Sequence, residues 1–181
     1  MNKLRNKIEI IWASRAKSNT HRGCIRKNKT LGDQIKIGNR IGTPSINGEV
    51  LAACAPLRCK FKLAIKKTPL NKEDKKYLKD VESYEALNHS SAFSELYFLR
   101  LSSLLVAQNI CPNLPLIYNY FVCSKCTFLN PAISDVNSNN CLIMVTELAD
   151  GDLKNYLQNG DYEFNDLITA YFQIYVGIYC M

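Results

Sequence analysis

Acidic residues are nearly missing from the first 40 positions of this chain. Eleven lysines and arginines face only Glu9 and Asp33 there, a local charge of +9. The rest of the chain, at +7 overall, is left with −2. The head is therefore basic and the body near neutral, which excludes a uniformly charged surface. A secretory signal is also missing. The opening "IEIIWA" is short and carries Glu9, without a convincing cleavage site. No apolar run is long enough to cross a ~30 Å hydrocarbon layer, and the final segment "LITAYFQIYVGIYCM" falls short at about 15 residues. No internal repeat excludes a solenoid. These absences point to an intracellular protein that does not enter membranes, and its 8 cysteines are expected to be reduced thiols. Cys123 and Cys126 stand at zinc-knuckle spacing with Cys111 and Cys141 around them, but no second close pair exists. The set departs from the usual two-pair zinc pattern, so no metal is assigned.

What is present begins with a polar leader over 1–33, ending in "NKTLGD". From Gln34 the pattern becomes regular. "QIKIGNRIG" alternates and then meets Gly38, a strand running into a loop. "TPSING" is turn chemistry, and "EVLAACA" a second strand. "CKFKLAIKK" puts Phe61, Leu63 and Ile65 on one face and Lys60, Lys62, Ala64 and Lys66 on the other. The spacing of Tyr77, Leu78, Val81, Tyr84 and Leu87 predicts a charged helix over 71–89. Ser90 or Ser91 caps a second helix, "AFSELYFLRLSSLLVAQ", which Pro112 and Pro115 end. "LIYNYFVC" and "CLIMVTEL" read as strands on either side of a long polar excursion, 124–140. "GDLKNYLQ" opens a short helix, and the last helix follows from 164. Strands around one main helix, then helices alone, predict an α+β fold with a five-stranded antiparallel sheet.

Four stretches are candidates for chemistry. The Gly-bearing turn "IGTPSINGEV" would let backbone N–H groups approach phosphate oxygens, although a plain hairpin has the same composition. In "LAIK", an ammonium at Lys66 can hold a polyphosphate as a point charge, and small Ala64 leaves room for a flat ring. Glu95 lies in an apolar helix among Phe93, Leu96, Phe98 and Leu99, so it needs a wet stripe or a cation, with Lys66 the obvious partner. The strand "LIMVTEL" stops at Thr146, where exposed backbone groups of Glu147 to Ala149 could bond a planar heterocycle. Asp152 caps the next helix and could accept a ribose hydroxyl.

In this order and at these spacings the sequence resembles the protein kinase superfamily, of the Ser/Thr type, over roughly residues 35–181. "IGTPSINGEV" resembles the Gly-rich phosphate loop, and the resemblance implies that Ile41, Gly42, Gly48 and Val50 cover a nucleotide. "LAIK" is similar to the Val-Ala-Ile-Lys strand, which implies that Lys66 contacts the phosphates with Ala64 beside the ring. "SELYFLR" resembles the helix whose glutamate, here Glu95, pairs with that lysine. "MVTELADGDL" resembles the hinge, implying Thr146 as gatekeeper, Glu147 and Ala149 as adenine partners, and a contact from Asp152. The wording from hinge to last helix looks closest to kinase-like proteins of large DNA viruses, which implies the host cytoplasm. Two departures stand out. Pro44 and Ser45 occupy the middle of the glycine loop, and Lys66 and Glu95 are further apart than is usual.

The resemblance divides the chain into a basic extension over 1–33, a small lobe with hinge over 34–149, and the first helices of a large lobe over 150–181. The 181 residues end where the His-Arg-Asp loop is expected, and contain no Asp-Phe-Gly. The expectation is an ATP cradle without its Mg²⁺-holding and catalytic loops, hence a pseudokinase-like or truncated kinase unable to transfer phosphate alone. Its last helix, 164–181, is apolar nearly all round and is expected to associate with itself or a partner protein. The rival readings are a non-catalytic scaffold and a basic nucleic-acid-binding protein using residues 1–40.

Overall fold

The computed structural model describes residues 25, 30–31, 35–55, 59, 61–78, 83–124, 126–128, 133, 140–149, 156–158, 160 and 162–180. The basic leader lies outside these apart from Ile25, Thr30 and Leu31. Most of the polar excursion does too, as does most of the short helix predicted after the hinge.

The architecture is α+β. An antiparallel sheet is built from β1 (Thr30–Leu31), β2 (Ile35–Ser45), β3 (Gly48–Ala55), β4 (Phe61–Pro69), β5 (Ile117–Cys123) and β6 (Cys141–Glu147). Its spatial order is β1-β2-β3-β4-β6-β5. Five strands fall where the alternating pattern put them. The sixth, β1, has only two residues, too few to show a period. Its Leu31 is nonetheless fully buried and bridges to Ile25, so the sheet begins inside the segment read as an extension.

Three helices are named among the described residues, α1 (Tyr84–His89), α2 (Ser91–Ala107) and α3 (Phe164–Cys180). The single helix predicted over 71–89 is not formed. A 3-10 turn at Asp74–Tyr77 and the short α1 replace it. The reason is local. The Asn71 side-chain carbonyl accepts from the N–H groups of Glu73 and Asp74, both at 2.8 Å, while Asp74 Oδ2 accepts from Asn71 N at 2.7 Å. This reciprocal cap starts a new turn. Ser83 caps α1 by accepting from Ala86 N, and Ser90 caps α2 by accepting from Phe93 N. Beyond Ala107 the backbone reaches a left-handed residue, Asn109, at φ 58°.

Each face of the sheet has its own core. Leu51, Leu63, Ile65, Ile143 and Val145 on one face join Leu31, Leu114 and Leu116. On the other, Leu142 and Met144 meet Phe93 and Leu96 of α2, together with Leu70 and Ala86. Helix α2 therefore lies on the face that carries Lys66.

Two sulfur pairs correct the expectation of reduced thiols. Cys54 is bonded to Cys59 and Cys126 to Cys141, while Cys111 and Cys123 are buried. The topology brings these atoms together: Cys54 and Cys59 flank the β3–β4 turn, and Cys126 lies just past Cys123, the register partner of Cys141. Among the described residues no helix is long and apolar enough to cross a membrane.

Candidate functional site

Strand register assembles the first part of the site. Val50 lies opposite Lys66 and Ile41 opposite Val50, so these three share a face across β2, β3 and β4. One pleat further, Ala64 lies between Ala52 and Thr146. Directly opposed residues in an antiparallel pair point the same way, so Ile41, Val50, Ala64, Lys66 and Thr146 form one continuous surface on the α2 side.

Glu95 joins it from the helix. Its Oε1 accepts a hydrogen bond from Lys66 Nζ at 2.6 Å, and both side chains remain about one-third exposed (34% and 35%). Their sequence separation of 29 positions is closed because Phe93 and Leu96, on the same side of α2, are buried in one cluster with Met144 and Leu142. A pair this exposed contributes only about 0–1 kcal/mol to stability. Its consequence is positional, because the ammonium is held in one place at the edge of solvent.

The glycine segment is not a loop. Strand β2 continues past Gly38 to Ser45, with irregular register between Ile37 and Arg40 and again between Ile41 and Ser45, and Ile46 and Asn47 make the turn. The Ser45 hydroxyl closes it, accepting from Asn47 N at 3.2 Å. Gly48 sits at φ +135°, and a Cβ there would lie 2.4 Å from the carbonyl oxygen of Lys67. Only glycine lets β3 approach β4 this closely, and the contact falls one residue from Lys66. Gly42, at φ +71°, has open space where its Cβ would be, so its constraint is conformational alone.

At the far end, Glu147 is the last residue of β6. Its N–H donates to Leu116 O at 3.3 Å and its Oε1 accepts from Leu116 N at 3.2 Å. This double clamp fixes the strand end but uses the Glu147 N–H. Ala149 follows, exposed and beyond the strand. Asp152 lies outside the described residues. Tyr118, buried nearby, has its hydroxyl pKa pushed above the ordinary value, first by burial and then by the Glu147 charge.

Sequence reasoning missed the residue next to Lys66. Lys67 is buried, in an ion pair with buried Glu49. Its Nζ also donates to Thr127 O at 2.5 Å and lies 4.8 Å from the centroid of the Phe128 ring. The signal was present as an odd position: Lys67 falls on the face of Leu63 and Ile65, where a lysine needs a partner.

Beside Lys66 and Glu95 a cavity of about 580 Å³ opens between the β2–β3 turn, the end of β4, the 3-10 turn and the start of α2. Ile46, Asn47, Asp74 and His89 are among the residues that line it. None of Thr146, Glu147 and Ala149 lines it. Among the described residues no cluster of three metal-ligating side chains occurs.

Compared with known proteins, the chain matches no protein-family model and no curated protein.

Proposed function

We propose that this chain is a nucleotide-binding, protein-kinase-like module in which Lys66 holds the phosphates of ATP. The observation that carries this reading is the 2.6 Å Lys66–Glu95 pair, formed across 29 residues at a solvent-accessible edge. A lysine so held presents a fixed positive charge with donors still available to an anion. The surface of Ile41, Val50, Ala64 and Thr146 next to it is uncharged and suits a planar ring. Gly42 and Gly48 shape the hairpin above, and Ala149 with the Glu147 carbonyl supplies backbone groups at the ring's edge. Asp152 is assigned to the ribose on the resemblance alone.

A polypeptide of these 181 residues binds ATP without transferring its γ-phosphate, because none of its residues supplies the His-Arg-Asp base or the Asp-Phe-Gly metal ligand. Thermal shift with ATP, with and without Mg²⁺, tests this. A stabilisation that is absent in Lys66→Met supports the reading, and equal stabilisation of both proteins ends it. In this reading the module works through nucleotide binding, as a kinase-like cradle.

Self-association through α3 belongs to the same proposal. Phe164, Ile168, Tyr171, Phe172, Tyr175 and Tyr179 are all exposed. Asp166 is the helix's one charged residue, so two copies packed antiparallel bring no like charges together. Sedimentation velocity over a concentration series checks it, with a concentration-independent monomer as the contrary result.

A further inference from the structure

The two disulfides among the described residues differ in what surrounds them. Cys126–Cys141 belongs to the core: Cys141 is fully buried, in the cluster that holds Ile143 and Val145, and Cys126 is half-buried. Cys54–Cys59 is a surface bond across the β3–β4 turn, with a sequence separation of 5. Cys59 is exposed and Cys54 half-buried. Exchange requires an attacking thiolate to reach a sulfur, so access favours the surface bond, and within that bond it favours Cys59.

Strand register supplies the electrostatics. Cys54 lies opposite Lys36 of β2 on one side and opposite Lys62 of β4 on the other. Directly opposed residues of antiparallel strands share a face, with Cβ atoms about 4.5–5.5 Å apart, so Cys54 stands between two lysines. Both lysines are exposed, and the second register partner of Lys36 is Thr30, not a carboxylate. Positive charge beside a sulfur stabilises its thiolate, and the better-stabilised thiolate is the better leaving group in thiol–disulfide exchange. Access and charge therefore agree: Cys59 is the sulfur attacked and Cys54 the sulfur that leaves. The same two ammonium groups draw in an incoming thiol that carries carboxylates.

We propose that the Cys54–Cys59 pair is a reversible thiolation site for small acidic thiols such as glutathione. The incoming thiolate attacks Cys59 Sγ, where a new S–S bond forms. The Cys54–Cys59 bond breaks, and Cys54 keeps the electron pair as a thiolate between Lys36 and Lys62. A second thiolate then attacks the sulfur of the small molecule in the mixed disulfide, releasing Cys59 as a thiolate and departing as the oxidised small-molecule disulfide. Two thiols thus supply the two electrons and two protons that convert the pair to a dithiol, and the oxidised small molecule restores the bond by the reverse steps. The proposal does not rest on nucleotide binding.

The test treats the oxidised protein with glutathione, or with glutathione diethyl ester, which keeps the thiol and removes both carboxylate charges. Samples quenched in acid at intervals are alkylated, and peptide mass mapping reads each disulfide. The expected result is that Cys54–Cys59 opens about tenfold or more faster than Cys126–Cys141, with the first mixed disulfide on Cys59. Glutathione should act severalfold faster than the diester at low salt, and this preference should disappear in Lys36→Gln with Lys62→Gln. Equal opening of the two bonds, earlier opening of Cys126–Cys141, or a first mixed disulfide on Cys54 would overturn the proposal. So would a preference for glutathione that survives the double substitution, or recovery of Cys54 and Cys59 as thiols from protein prepared without reductant. Both bonds are read in the same unsubstituted molecule, so that comparison decides the matter even if the variant fails to fold.

Discussion

Lys66 and Lys67 are adjacent, and their environments could hardly differ more. Lys66 points to the α2 face and shares a part-exposed bond with Glu95. Lys67 points to the opposite face and is buried with Glu49. For the buried pair, magnitude decides the prediction. Removing one partner leaves an uncompensated charge, at a cost of about 3–5 kcal/mol. Replacing both by apolar residues is close to neutral. Glu49→Gln and Lys67→Met should therefore each lower the urea midpoint sharply, and Glu49→Leu with Lys67→Met should recover most of it. A simple sum of the two losses in the double variant would contradict the account. At Tyr118 the sign follows from a raised folded-state pKa. Its contribution is complete below the unfolded value of about 10 and is lost as pH climbs through the folded value. Tyr118→Phe should flatten the fall in stability above about pH 10, measured by urea titration across that range. An unchanged alkaline limb would assign the fall to other groups.

Among the elements, those with a period could be read in advance, and those set by tertiary contact could not. Strand β4 was legible because Leu63 and Ile65 alternate with Ala64 and Lys66. Helix α2 was legible from its punctuation, Ser90 or Ser91 at the start and Pro112 and Pro115 beyond the end. The helix expected over 71–89 failed because Asn71 and Asp74 cap a tighter turn, a local bond that periodicity cannot register. The glycine segment was read as a loop because Gly, Pro and Asn usually mark one, yet the ladder with β3 carries β2 through it. Gly48 makes this hairpin possible. Gly48→Ala should lower the melting temperature, since a left-handed conformation costs about 1–3 kcal/mol before the contact with the Lys67 carbonyl is counted. An unshifted melt would show that the strands can part there without penalty. In α3 both the apolar pattern and its partial cover were legible, since so apolar a helix finds too few neighbours here to bury it all round. Gly177 packs on Leu114 and the Cys111 thiol reaches Val176 O, while most large side chains face out. Tyr175→Ser with Tyr179→Ser should cut hydrophobic-dye fluorescence without changing the unfolding midpoint. A large loss of stability would mean that this face is buried after all.

For the whole molecule, one sheet with a separate core on each face explains why the candidate site forms where it does. The core under α2 brings Glu95 to Lys66, and the opposite core anchors β4 and β6 from behind. The Lys66–Glu95 pairing could be anticipated from sequence because Lys66 sits in a strand of clear period and Glu95 is a carboxylate among apolar helix neighbours that calls for a cation. The cavity with Asp74 and His89 could not, because it is bounded by a capped turn, the tip of a hairpin and a helix start from three separate stretches. The central claim is that Lys66, oriented by Glu95, binds nucleotide phosphate. Isothermal calorimetry with ATP on the unmodified protein, Lys66→Met and Glu95→Gln tests it most directly. The account predicts measurable binding to the first, a loss of about tenfold or more in the second, and an intermediate loss in the third. ATP affinity that is the same in all three proteins would contradict it.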